Sequence, residues 1–166
     1  MIPILKPDYS VESLQVLNLK DWHQKGIRGV LIDLDNTISP WRKTTITQEA
    51  FDFFERAAVL EIQVLLFSNA AAARAGVAAA NAKIPFFPSA KKPLPWKFKQ
   101  AVKTMGLKPQ QVLMIGDQIF TDTLGGNLAG CVTVLLPPLE ANEYGGTKIL
   151  RFMERMIGVK QKPRKS

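Results

Sequence analysis

Cysteine and histidine are nearly missing: the sequence holds Cys131 and His23 and no other residue of either kind. A lone cysteine excludes an internal disulfide framework and makes the reducing cytosol, or an equivalent compartment, the default location. Long apolar runs are missing too. No stretch approaches the ~20 apolar residues of a membrane span. The opening MIPILKPDYS lacks a basic segment followed by a long apolar one, so it does not read as a secretion signal. The glycine patterns of dinucleotide and P-loop sites do not occur. Acidic residues are outnumbered by basic ones, 14 against 22, which leaves a net charge of +8. The imbalance is local: residues 91–108 carry six lysines and no acid, and the closing KQKPRKS adds four cations. Such surfaces suit anionic partners, namely phosphorylated metabolites, anionic lipid or nucleic acid.

What is present is a globular composition, 46% apolar and 22% charged over 166 residues, enough for one domain with a real core. Strand-like and helix-like segments alternate. GVLIDL (Gly29–Leu34), IQVLLF (Ile62–Phe67), VLMI (Val112–Ile115) and VTVLL (Val132–Leu136) are short apolar runs of the kind buried on both faces, and Pro85–Phe87 is a further short candidate. Helices are expected over Thr47–Leu60, with Thr45 or Thr47 as cap, and over Ala70–Lys83. Pro95–Met105 follows, with proline in its first turn and Gly106 beyond its end. A weaker helix over Thr121–Ala129 is hindered by Gly125 and Gly126, and an amphipathic one is expected near Lys148–Met156. This alternation predicts βαβ units: a Rossmann-like α/β/α sandwich around a parallel sheet. Residues 1–28 read as an N-terminal extension with a short helix near Lys20–Lys25, 29–158 as the domain, and 159–166 as a basic disordered tail.

In a parallel α/β sheet, ligands bind beyond the carboxyl ends of the strands, and three strands here end in polar chemistry. The first runs into Asp33, Asp35 and Thr37, the second into Ser68 and Asn69, and the third into Gly116, Asp117 and, five residues on, Asp122. Lys91 and Lys92 precede the lysine-rich helix. Like-charged carboxylates at the end of an interior strand call for neutralisation. Clustered carboxylates without histidine or cysteine beside them suit a hard divalent cation, Mg2+ above all, shared with phosphate. A calcium loop starting at Asp33 is disfavoured, because Ile38 and Thr44 stand where it needs glycine and glutamate. An aspartate aimed at phosphorus can act as a nucleophile, and a second two residues on can serve as acid and base. A lysine and a hydroxyl would meet the phosphoryl oxygens.

The ordered set DLDNT, FSN, a lysine followed by proline, and GDQIFTD resembles the haloacid-dehalogenase-like (HAD) phosphatases. It is most similar to the small IIIA-type, YqeG-like subfamily that also contains phosphatidylglycerophosphate phosphatases. The resemblance runs from about Gly26 to Leu136. It implies a Mg2+-dependent phosphomonoester hydrolase working through an aspartyl-phosphate. Asp33 would be nucleophile and metal ligand, and Asp35 the acid and base that lends its backbone carbonyl to the metal. Thr37 would hold the motif's loop, Ser68 and Asn69 would bind phosphate, Lys92 rather than Lys91 would stabilise its charge, and Asp117 and Asp122 would complete the metal site. Ala70 stands where the subfamily often has a polar residue.

Ser68 follows Asp35 by 33 positions and Lys92 follows Ser68 by 24, room for the expected core elements and no cap domain. The cleft should therefore be open, as suits a bulky substrate, a macromolecule or a phosphate presented at a membrane. Phosphatidylglycerophosphate leads as substrate, with a soluble phosphometabolite or a nucleic-acid end behind it. A non-catalytic, basic RNA- or ribosome-binding module is the alternative of another class. The expected location is cytoplasmic, with peripheral contact at a membrane left open; Trp41 and Trp96 could form an aromatic and basic rim on anionic lipid. Cys131 reads as core and His23 as an ordinary surface or helix-end residue.

Overall fold

A computed structural model of the chain describes residues 2–140. The helix expected near 148–156 and the tail from 159 lie outside the described residues. In chain order the elements are β1 (Tyr9–Ser10), α1 (Leu19–Gln24), β2 (Gly29–Ile32), α2 (Gln48–Val59), β3 (Gln63–Leu66), α3 (Ala72–Ala82), α4 (Pro95–Thr104), β4 (Val112–Gly116), α5 (Leu124–Ala129) and β5 (Val132–Leu135). Short 3-10 turns cover Pro3–Leu5 and Pro109–Gln111, and a wide π-type turn, Ile119–Thr123, leads into α5.

Val30, Leu31 and Ile32 offer no polar face, and such a strand is stable only between neighbours with helices above and below. β2 takes that central place: the parallel sheet has the order β1-β5-β4-β2-β3, and Ile32 lies opposite both Leu66 and Ile115. Alternation along the strand then feeds two cores. Val30 and Ile32 join Leu14, Trp22, Phe53, Phe54, Ala75 and Ala79 on the face covered by α1, α2 and α3. Leu31 joins Phe67, Phe98, Val102, Met114 and Cys131 on the face covered by α4 and α5. The outcome is the expected three-layer α/β/α sandwich.

Local chemistry sets the helix ends. Thr47, not Thr45, caps α2 by accepting from the Ala50 N–H at 3.3 Å. Asn18 caps α1 by accepting from Asp21 N–H. Pro95 opens α4, where its missing N–H costs nothing. The anticipated helix over 121–129 is divided, with the wide turn holding its first part and only Leu124–Ala129 α-helical. Pro85–Phe87 forms a single parallel bridge to β3, with Leu66 N–H donating to Pro85 O and Phe87 N–H to Leu66 O, both at 2.9 Å.

The first 28 residues contribute to the sheet and core. Tyr9 and Ser10 pair with Val134 and Leu135, and Leu14, Leu17 and Trp22 are buried. Asp8 clasps this edge by accepting from the Thr133 N–H at 2.8 Å, and the Arg56 guanidinium donates to Leu14 O and Leu17 O, each at 2.8 Å. A two-residue strand has no periodicity to read, which is why the pattern of apolar residues does not announce it.

Gly125 governs how closely α5 meets α4. A Cβ there would stand 2.3 Å from the Phe98 ring and 3.1 Å from Pro93 Cα. Gly125→Ala is expected to destabilise the protein by about 1–3 kcal/mol through overpacking, beyond the ~1 kcal/mol that alanine gains in a helix. Thermal unfolding should show a midpoint lower by several degrees; an unchanged or raised midpoint would mean that the ring and the Pro93 segment yield freely.

Candidate active site

The parallel topology brings the carboxyl ends of β2, β3 and β4 to one edge of the sheet. Asp33 N–H still donates to Ile115 O at 2.9 Å, so Asp33 is the last residue of β2's ladder to be anchored. The chain then turns tightly, with the Thr37, Ile38 and Ser39 N–H groups all directed at Leu34 O. Asn36 takes a left-handed conformation (φ 58°), which asparagine tolerates better than most residues. β4 delivers Asp117. The wide turn after it returns Asp122 against the strand end, where Gln118 N–H donates to its Oδ2 at 3.1 Å. Gly116 makes this possible, since a Cβ there would lie 2.0 Å from Asp122 Oδ2.

Lys92 reaches into the same place. Its Nζ lies 2.6 Å from Asp33 Oδ1 and 2.6 Å from Asp122 Oδ1, and all three side chains are buried. Lys91 is exposed, so the two neighbours are separated by the fold, and Lys92 is the one that meets the carboxylates. Carboxylate oxygens of Asp33, Asp117 and Asp122 lie within 4.8 Å of one another. Burial is the largest influence on the Asp33 carboxyl and pushes it up to about 7, with Lys92 opposing and Asp122 and Asp35 assisting. Burial alone would lower the Lys92 ammonium, but Asp122 and Asp33 outweigh it and hold Lys92 above its ordinary value.

The remaining expected residues surround this centre with distinct contacts. Thr37 is fully buried, its Oγ1 3.5 Å from Asp117 Oδ1, so it faces a carboxylate of the cluster. Ser68 is buried and accepts from Ala70 N–H at 3.1 Å, which leaves its O–H as a donor. Asn69, expected to hold phosphate directly, turns its carboxamide to the backbone of Lys92. It accepts from Lys92 N–H at 2.7 Å and donates to Lys92 O at 3.0 Å. Asp35 keeps its carboxylate out of the three-aspartate cluster: it accepts from Arg42 N–H and from both Nη groups of Arg74.

Arg74 and Arg42 were absent from the sequence expectations. Arg74 had a usable signal, for it is the single charged residue in α3, an otherwise alanine-rich helix. Trp96 is 54% exposed, whereas the indole N–H of Trp41 is buried and has no partner among the described residues. Cys131 is buried as expected, and burial pushes its thiol up to about 12. No helix among the described residues is long and apolar enough to cross a membrane.

A family model described as "HAD-hyrolase-like" matches residues 89–137, the stretch from the Lys92 segment through β5. The Bacillus subtilis (strain 168) protein named "Probable phosphatase YqeG" is 32% identical over 151 residues, covering 91% of this chain and 88% of that one. The chain belongs to the HAD-like phosphatases, in their YqeG-like group. The Arabidopsis thaliana protein named "Phosphatidylglycerophosphate phosphatase 1, chloroplastic/mitochondrial" is 29% identical, over 82% of this chain and 42% of that protein. Among solved structures, the cobalt-bound deoxy-D-mannose-octulosonate 8-phosphate phosphatase of Haemophilus influenzae superposes with a TM-score of 0.56 at 16% identity. It covers 79% of this chain and 75% of that one, and shares the fold.

Among the described residues of this HAD-like phosphatase, three carboxylates gather around one ammonium, and burial makes such crowding of like charge expensive. The donors are all oxygens, so the cluster suits a hard divalent cation, which Asp33, Asp117 and Asp122 could hold. Binding requires Asp33 ionised, and its carboxyl is pushed up to about 7. Protons therefore compete below that pH. Calorimetric titration with Mg2+ or Mn2+ is expected to show affinity nearly flat above pH 7 and falling by up to about tenfold per unit below it. Affinity that held constant down to pH 5.5 would refute this linkage.

Proposed function

We propose that the protein is a Mg2+-dependent phosphomonoester hydrolase that forms an aspartyl-phosphate on Asp33. The observation that carries this reading is the Lys92 ammonium shared, at 2.6 Å each, between Asp33 and Asp122 beside Asp117. That constellation suits a phosphoryl group, which needs a nucleophile on one side and fixed positive charge at its equatorial oxygens. Mg2+, when bound, would neutralise phosphoryl charge and orient it toward the nucleophile.

In the first half-reaction an Asp33 carboxylate oxygen bonds to phosphorus as the bond to the ester oxygen breaks. Asp35 gives its proton to that departing oxygen. In the second, water attacks phosphorus, Asp35 takes the water's proton, and the bond to Asp33 breaks, releasing inorganic phosphate. Lys92 balances the charge of the transferring group, with the Ser68 O–H donating to one of its oxygens. Asn69 acts through Lys92 by holding its backbone.

Asp33→Asn is expected to abolish phosphate release from p-nitrophenyl phosphate while the far-UV spectrum stays that of the parent. Asp35→Asn should slow release by about 10²–10⁴-fold. Retention of most activity in Asp33→Asn would remove it as nucleophile.

For the substrate, phosphatidylglycerophosphate has the most support. One relative carries that activity in its name. Only α2 and β3 lie between Asp35 and Ser68, and only α3 and the Pro85–Phe87 bridge before Lys92, so no cap is inserted at either point among the described residues. Trp96, which is exposed, lies within the lysine-rich segment of 91–108. A bulky ester presented at a bilayer brings its own cover, and exposed tryptophan with lysine suits an anionic interface. Trp96→Ala should weaken sedimentation with anionic vesicles several-fold and slow hydrolysis of the lipid more than that of p-nitrophenyl phosphate. Equal loss on both substrates would remove the interfacial role.

A further inference from the structure

Three donors hold the Asp35 carboxylate. Its Oδ2 accepts from Arg74 Nη2 at 2.5 Å, and its Oδ1 accepts from Arg74 Nη1 at 2.8 Å and from Arg42 N–H at 2.8 Å. The guanidinium also donates to Lys43 O at 3.2 Å. While this fork is in place, Asp35 is held as an acceptor by three donors rather than set to pass a proton to a leaving oxygen. Turnover as proposed above, on which this inference rests, therefore requires Arg74 to let go. A guanidinium that leaves a bidentate carboxylate loses two charge-assisted bonds, and only another anion replaces them in kind. The surroundings favour such an exchange. The Arg74 side chain is 25% exposed, against 13% for Asp35, so the arginine stands on the solvent side of the pair. The facing loop carries exposed Arg42 and Lys43, and no acid occurs from Asn36 to Gln48.

We infer that Arg74 is a specificity-determining residue that exchanges Asp35 for a second anionic group on the substrate's leaving group. The substrate class is accordingly a phosphomonoester whose alcohol carries its own negative charge, a phosphodiester or a carboxylate, a few bonds from the ester oxygen. Both anions match the planar fork; a neutral alcohol leaves it on Asp35.

Three soluble esters test this in the full-length protein with Mg2+. Glycerophosphoglycerol phosphate carries a phosphodiester in its leaving group, 3-phosphoglycerate a carboxylate, and glycerol 3-phosphate neither. The parent is expected to show a higher kcat/KM for at least one charged ester than for glycerol 3-phosphate, and the preferred arm identifies the anion. Arg74→Gln should cut that preference ratio about 10- to 100-fold, the range for losing a charge-assisted fork. Arg74→Lys, which keeps the charge without the fork, should cut it by less and provides a second variant if the glutamine form folds poorly. Added guanidinium should restore part of the ratio in Arg74→Gln. A parent without charge preference, or a ratio unmoved in both variants, overturns the assignment while hydrolysis itself stands. Inertness of the parent toward all three esters and p-nitrophenyl phosphate overturns the phosphatase reading as well.

Discussion

The site depends on one electrostatic constraint: among the described residues, three buried carboxylates gather around one buried ammonium. Lys92 pairs with Asp33 and Asp122, and Asp117 adds a further charge to the same pocket. Desolvated charge of one sign is costly unless something compensates it. A divalent ion and a phosphoryl group are compensations of the right type, and the ammonium keeps the cluster tolerable before they arrive. Everything else in the domain can be understood as the scaffold that holds these groups together.

The scaffold works because the sheet is parallel and β2 sits between β3 and β4. Parallel strands end on one edge, so residues distant in sequence become neighbours without long loops. Close approach does the rest. Gly116 admits the Asp122 carboxylate at the end of β4, and Gly125 lets α5 come down onto Phe98 and Pro93, next to Lys92. Asn69 then ties the end of β3 to the lysine segment through both ends of its carboxamide.

Much of this was legible before any coordinates. The apolar runs of β2, β3, β4 and β5 are short, uncharged and separated by helical patterns, which is the signature of a two-sided parallel sheet. Asp33, Asp117, Asp122 and Lys92 were readable as a group because each follows such a run or precedes a proline-started helix. What escaped has identifiable reasons. β1 is two residues long and owes its place to Asp8 and Thr133, contacts across 125 positions. The bonds of Asn69 to the Lys92 backbone and the approach of Thr37 Oγ1 to Asp117 are set by tertiary geometry and have no counterpart in local sequence pattern. Arg74 stands out as the one charged residue of an alanine-rich helix, but nothing in that pattern ties it to Asp35, which tertiary packing brings to it.

The two rims of the sheet have a bearing on how the molecule behaves in company. An uncovered strand offers its backbone to any passing extended chain, a common origin of aggregation. Here one rim ends in the two-residue β1, too short to template much pairing. The other is fringed by a segment bracketed by Pro85 and Pro88, whose nitrogens carry no hydrogen to donate. Growth of the sheet by recruiting a strand from a second molecule is thereby discouraged at both sides, so a crowded protein is kept from joining its neighbours edge to edge.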